Sequence, residues 1–306
     1  MARLSREIIT GVTLGQENAA KSKLLADVMT AAIAEYDKRN QNWFLALLPE
    51  TIPTPGNLRY QRATQQLDQL LYALIQERRV SNEEGDDILS ILLQVRDEDG
   101  VGMSDVEIRD ELVGLCAAHD SMSEFFAWAW WLIAQTPRVE EKLQIEWELV
   151  LAKQPPTFED IAKLRYTEAV VKEVLRLYPL AWVTGRVVTQ GCELGGHPIK
   201  QGENVVMCQW VTHRDRRFFD QPEIFNPDRW ISSKAKIPTY AYFPFGGGPR
   251  ICIGRGLMMM EAVLLLATIG QQFHVQPLPG QRVEPYSNPS FSLRPKYGLA
   301  MQLVPR

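Results

Sequence analysis

The stretch Phe243–Gly254, FPFGGGPRICIG, sets one arginine and one cysteine into a run of glycine and proline flanked by apolar residues. Glycine tolerates backbone conformations and close approaches that other residues do not. A thiol placed there is either incidental to a tight turn or presented to something. Three chemistries ask for such a loop: a phosphate cradle, a nucleophilic cysteine and a metal ligand. A phosphate-binding loop continues with Gly-Lys and then Ser or Thr where its helix begins, whereas this chain reads Ile253-Gly254-Arg255-Gly256. A phosphate-cleaving cysteine enzyme wants an arginine where Met258 stands. A zinc knuckle needs paired cysteines or histidines close by, and Cys252 has none near it in sequence. Cys192 with His197 and Cys208 with His213 form spaced pairs elsewhere, on a longer interval than structural zinc sites favour.

Composition narrows the class. The chain has 306 residues, 45% hydrophobic and 23% charged, with a formal net charge of -4 from 33 basic and 37 acidic residues. That is a globular profile, and the balance leaves no basic footprint for nucleic acid. Four cysteines (Cys116, Cys192, Cys208, Cys252) are too few for a disulfide framework and fit a reducing, cytoplasmic setting. No stretch reaches the roughly 18 consecutive apolar residues of a spanning helix. The richest, FFAWAWWLIA from Phe125 to Ala134, is too short. The start, MARLSREIITGVTLGQ, lacks the apolar core and cleavage site of a signal peptide. A soluble chain without a membrane segment is expected.

Helical periodicity dominates the first half. Glu17 to Leu48 reads as one helix, broken by ETIPTPGN (Glu50 to Asn57). Leu58 to Arg79 reads as a second helix and Asp86 to Gln94 as a shorter third. Ser104 and Glu107 fit a capping box, opening a long central helix that runs to about Thr136, before Pro137. Helices over Val139–Leu151 and Tyr166–Tyr178 follow. Arg186 to Cys208 then reads as strand, hairpin, strand. His213 to Thr239 is loop, Leu257 to Phe273 a last helix, and Phe291 to Val304 holds short strands. The pattern is mainly α with a minor C-terminal β part, helix-rich over 1–180 and mixed over 181–306. With no repeat or clear linker, a single domain over 1–306 is the simplest organisation.

With phosphate and nucleophile chemistry disfavoured, a metal held by one thiolate remains for Cys252. A lone cysteine can be the only protein ligand of an iron whose equatorial positions a porphyrin fills. The pattern Phe245-x-x-Gly248-x-Arg250-x-Cys252-x-Gly254 resembles the haem-binding loop of the cytochrome P450 family. The resemblance implies that Cys252 is the axial ligand of haem b (iron protoporphyrin IX) and that Arg250 reaches a propionate. It also implies that Phe245 shields the sulfur while the glycines let the backbone lie under the macrocycle.

Other segments extend the likeness. Glu173 and Arg176, one helical turn apart, resemble the family's Glu-x-x-Arg helix. Phe225 to Trp230, FNPDRW, resembles its meander and supplies Arg229, so a buried glutamate between two arginines is implied as a structural staple. Arg186 resembles a second propionate-binding arginine. Ala117-Ala118-His119-Asp120-Ser121-Met122 resembles the oxygen-binding segment, where Asp120 and Ser121 would relay protons to dioxygen. Here Ala118 replaces a usual glycine, Ser121 a threonine and Met122 a second hydroxyl. Ala181, Trp182, Phe291 and Ser292 resemble substrate-contact positions.

The family reading implies a bacterial-type monooxygenase that inserts one atom of O2 into a lipophilic substrate. Electrons would come from NAD(P)H through a separate ferredoxin or flavoprotein reductase, and the protein would be a monomer. The altered oxygen-binding segment keeps a haem-thiolate peroxygenase or isomerase open as an alternative. MARLSREIITGVTLG resembles a segment that follows the family's N-terminal part, so a truncated P450 fold is expected, with a non-catalytic haem-binding remnant as a further alternative.

Overall fold

The structure, a computed structural model, describes residues 1–15, 19–41, 49–81, 85–117, 119–231, 237–286 and 292–306. Its contacts divide the chain into two compact units, one from Met1 to Ser123 and one over the described residues from Glu124 onward.

The first unit is helical: α1 (Ala2–Leu14), α2 (Ala19–Gln41), α3 (Pro55–Ser81), α4 (Ile88–Gln94), α5 (Asp105–Ala117) and the start of α6 (His119–Ala134). Its core gathers Leu25 and Met29 of α2, Leu67 and Leu71 of α3, Leu89 of α4, and Ile108, Leu112 and Cys116 of α5. Burial pushes the Cys116 thiol up to about 11 and so keeps it protonated. Sequence periodicity overlooks α1, which has no side-chain cap at its start. It also places the start of α3 too late. Pro55 stands first in α3, where its missing N–H costs nothing, and Thr54 Oγ1 accepts from the Asn57 N–H at 3.1 Å. Asn57 itself is fully buried and donates to Pro49 and Ile52 carbonyls at 3.2 and 2.9 Å, fixing the turn.

Arg78 ties three helices together: it pairs with Asp87, the N-cap of α4, at 2.6 Å and donates to the last α1 carbonyl, Leu14, at 3.0 Å. The capping box of α5 forms in both directions, Ser104 N–H to Glu107 at 2.8 Å and Glu107 N–H to Ser104 Oγ at 3.3 Å. The central helix expected from there to Thr136 lies over α5 and α6, with Ala118 outside the described residues.

In the second unit α7 (Pro137–Leu151), α8 (Arg165–Leu177) and α11 (Arg255–Gln272) pack on one another. Glu146 of α7 caps α8 from outside, accepting from the Tyr166 and Thr167 N–H groups at 2.6 and 2.8 Å. A Cβ on Gly270 would lie 2.2 Å from the Trp147 ring, so glycine lets α11 approach α7. The chain then forms β1 (Thr184–Val187), the hairpin β2 (Cys192–Leu194) and β3 (His197–Ile199), and β4 (Asn204–Met207). β1 pairs antiparallel with β4, Arg186 opposite Val205, and encloses the hairpin as the strand–hairpin–strand pattern anticipates. The helical turns α9 (Gln209–Thr212) and α10 (Asp228–Ile231) lead toward α11. β5 (Phe273–Pro277), unforeseen because it continues α11 without a break, pairs with β6 (Met301–Pro305).

Candidate functional site

The glycine-rich loop is a series of tight turns that delivers Cys252 to the start of α11. Gly246 N–H donates to Phe243 C=O at 2.9 Å, and a 3-10 turn over Gly248–Arg250 closes with Ile251 N–H on Gly248 C=O at 3.1 Å. The Cys252 N–H then reaches back to Phe245 C=O at 3.0 Å, so the expected aromatic and the thiol are brought together through their backbones. Gly246 and Gly248 sit at φ +73° and +72°, the left-handed region that penalises side chains. A Cβ on either would meet no other atom within 4 Å, so backbone shape rather than crowding calls for glycine there. Gly247 differs: its Cβ would lie 2.5 Å from the Tyr240 ring. Cys252 is exposed, and a Cβ on Gly254 would stand 3.8 Å from its sulfur.

Beneath this loop lies a fully paired buried network. The side chains of Glu173 and Arg176 are both 0% exposed and face each other in a bidentate pair at 2.8 and 2.9 Å. Glu173 also accepts from Arg229 Nε at 3.0 Å, the Asn226 N–H at 3.0 Å and Trp230 Nε1 at 2.8 Å. Arg176 spends its remaining donors on the carbonyls of His213, Pro222 and Ile224. Every lone pair and N–H that a buried ion pair exposes to desolvation thus has a partner, the condition under which such a pair is tolerated.

Sequence reasoning anticipated Glu173, Arg176 and Arg229 but missed Trp230 and His213. In sequence His213 reads only as the spaced partner of Cys208 in a zinc-like pair. Its Nε2 accepts instead from the Phe243 N–H at 2.9 Å, and burial drives its imidazole down to about 3, keeping it a neutral acceptor. Cys208 Sγ contacts Trp182 C=O at 3.6 Å. No cluster of three His, Cys, Asp or Glu side chains suited to a metal occurs among the described residues. Tyr242 OH donates to Lys172 C=O at 3.0 Å, so both residues that open the cysteine loop are pinned, one to α8 and one to His213.

The other expected positions fall as follows. Arg250 and Arg186 are exposed, and among the described residues neither has a carboxylate partner; Arg186 donates to Gly185 C=O at 2.8 Å. Ser292 Oγ donates to Glu124 at 2.8 Å, and the next residue is held by Trp128 Nε1 on Leu293 C=O at 2.7 Å and by Leu293 N–H on Leu180 C=O at 3.0 Å. Glu124, missed by the sequence reading, carried no signal beyond being an acid in an apolar helix. Ala181 is exposed and Trp182 half-buried, its carbonyl accepting from Trp210 N–H at 3.2 Å. Ser121 is half-buried and Met122 buried, both in the first unit. Ala118 and Phe291 lie outside the described residues, as do the side chains of Ala117 and Asp120.

These features fit a flat, dianionic, thiolate-ligated macrocycle. A thiol is exposed just before a helix, two left-handed loop glycines have open space where a Cβ would stand, and among the described residues two guanidinium groups have no carboxylate partner. An anionic sulfur also suits the positive end of α11.

The cytochrome P450 profile matches residues 1–301. The chain is 38% identical to cyclooctat-9-en-7-ol 5-monooxygenase of Streptomyces melanosporofaciens, covering 76% of this chain and 51% of that protein. It is 34% identical to pentalenene oxygenase of Streptomyces avermitilis, covering 76% and 53%. The retinoic acid-bound cyanobacterial CYP120A1 superposes with a TM-score of 0.86 at 27% identity, over 100% of this chain and 68% of that one. The chain therefore spans about half the length of the curated relatives it matches. No helix among the described residues is long and apolar enough to cross a membrane.

Proposed function

The chain belongs to the cytochrome P450 family, and from that premise we propose that it carries the thiolate side of a haem-dependent monooxygenase, with Cys252 as the axial ligand. What supports this most is the exposed Cys252 thiol, held in a glycine-shaped loop by the Cys252 N–H on Phe245 C=O at 3.0 Å. Arg250 and Arg186 would hold the propionates of haem b, as charge-assisted donors to carboxylates. When bound, the haem supplies the redox chemistry by which O2 is activated. The chain's own residues position and protonate. Gly248 and Gly254 shape the loop beneath the haem, and Phe245 would shield the sulfur from water once the haem covers the other side. Asp120 holds a proton on its carboxyl and Ser121 passes one through its hydroxyl, with the backbone of Ala117 and Ala118 preceding them. Glu173, Arg176 and Arg229 hold the loop's foundation.

Electrons would come from NAD(P)H through a separate ferredoxin or flavoprotein reductase. Relatives named for pentalenene and cyclooctat-9-en-7-ol favour a lipophilic substrate, touched by Ala181, Trp182 and Phe291. Ser292, with its hydroxyl engaged by Glu124, would present its backbone. We read residues 1–306 as part of one domain, working as a monomer in the cytoplasm.

The test is product formation from pentalenene. With NAD(P)H and surrogate ferredoxin and reductase, the monooxygenase reading expects oxygenated product that Asp120→Asn reduces by roughly tenfold or more. Product only with peroxide, unaffected by Asp120→Asn, would replace it with a peroxygenase. That outcome has one observation in its favour: Met122, buried at 6% exposure, stands where the family usually has a second hydroxyl.

A further inference from the structure

A cavity of about 360 Å³ opens in the second unit against the cysteine loop, within the range of small-ligand pockets, about 300–1,000 Å³. Its walls are apolar: Phe158, Phe243, Ile251, Met259 and Val263 face into it. Three charged side chains line it as well, Glu168 and Lys172 from α8 and Arg255 from the first turn of α11. Glu168 and Lys172 neutralise each other in an ion pair at 2.7 Å. The polar group of Tyr242 is already spent on Lys172 C=O. Arg255 is exposed, and among the described residues its guanidinium makes no ion pair or hydrogen bond. An apolar chamber thus carries one uncompensated cation, at the start of a helix whose positive end adds to it. An unpaired guanidinium prefers a carboxylate, which it can engage through two parallel N–H donors. The apolar walls reward a hydrocarbon body by removing it from water.

We propose that this cavity binds a small lipophilic monocarboxylate, its acid on Arg255 and its apolar body against Met259, Phe243 and Ile251. The same wall includes Phe245 and Gly246, and Phe245 supplies the carbonyl that holds the Cys252 N–H. Occupancy is therefore sensed by the cysteine loop: a ligand packed on Phe245 and Ile251 braces the turn that presents the thiol. This inference stands on the cavity and its charges and does not require the haem reading.

The probe is octanoate, compared with octan-1-ol, on the full chain labelled with 13C-methyl methionine. Met260 lines the cavity beside Met259, and the two methyl signals are assigned through Met259→Leu and Met260→Leu. The expected result is a saturable shift of both methyl signals by octanoate, with octan-1-ol at least tenfold weaker. Arg255→Met, at an exposed position that leaves the fold intact, brings octanoate down to the level of the alcohol. Saturating octanoate slows alkylation of Cys252 by iodoacetamide at least twofold. Octanoate binding that leaves both methyl signals unmoved would place the site elsewhere and overturn the proposal. Equal affinity for acid and alcohol, or full octanoate affinity in Arg255→Met, would overturn the role of the cation. An unchanged alkylation rate at saturation would overturn the coupling to the loop.

Discussion

The Glu173–Arg176 network and the Cys252 loop are neighbours in one unit, joined through His213 and Tyr242, yet they are built on opposite plans. The network is sealed from water and every donor has an acceptor. The loop's tip is exposed, shaped by left-handed glycines, and displays a thiol and a guanidinium that has no carboxylate partner among the described residues. A buried ion pair is maintained by its partners and collapses when one is removed. An exposed thiol contributes little to stability, so its surroundings answer to what it presents. The first region should therefore fail in a denaturation experiment and the second in a binding experiment.

The largest expected effect breaks the comparison if it is absent. Glu173→Ala strips the acceptor from Arg176, Arg229, the Asn226 N–H and Trp230 Nε1 together, at a cost of about 3–5 kcal/mol. Urea unfolding of the two variants measures it: Cys252→Ser should stay within about 0.5 kcal/mol of the parent chain. Comparable losses in both would mean that the loop is structural too.

Glu261 on α11 separates burial from pairing. It is 8% exposed, one of its oxygens has no hydrogen-bond partner, and burial raises its carboxyl to about 7. The folded chain then keeps a proton that the unfolded chain gives up near the ordinary value of 4.5. Stability from this group is full below about pH 4.5, falls as pH rises toward 7, and stays reduced above it. Glu261→Gln should stabilise the protein at pH 8 by up to about 3 kcal/mol and leave it nearly unchanged at pH 4, as urea midpoints at the two values would show. His213 slopes the other way. Its imidazole, held down to about 3, makes stability fall as acid titrates the unfolded chain below its ordinary 6.5.

A smaller effect sharpens the description of the loop. Gly248→Ala meets no neighbour but must adopt φ +72°, a strain of roughly 1–2 kcal/mol. Thermal unfolding should register that modest loss, whereas a neutral result would show the turn to be adaptable.

Much of this contrast is legible along the chain because its determinants are local. Glu173 and Arg176 lie one turn apart on a helix, Ser104 and Glu107 cap within one turn, and the loop is a continuous pattern. What stayed hidden depends on partners distant in sequence. Trp230 reaches Glu173 from the meander, His213 is chosen as an acceptor by Phe243, and Glu124 is met by Ser292. Nothing near any of them in sequence announces the bond. Pro55 shows a different failure. In sequence it reads as a breaker, but with Thr54 and Asn57 around it the same residue starts a helix.

The central claim, that Cys252 is the thiolate ligand of a haem, is tested most directly by loading the chain with haem, reducing it and adding carbon monoxide. We expect a strongly red-shifted Soret band that disappears in Cys252→Ser while the variant remains as stable as the parent. A parent chain that takes up haem and shows no such band, or a Cys252→Ser variant that keeps it, would contradict the account.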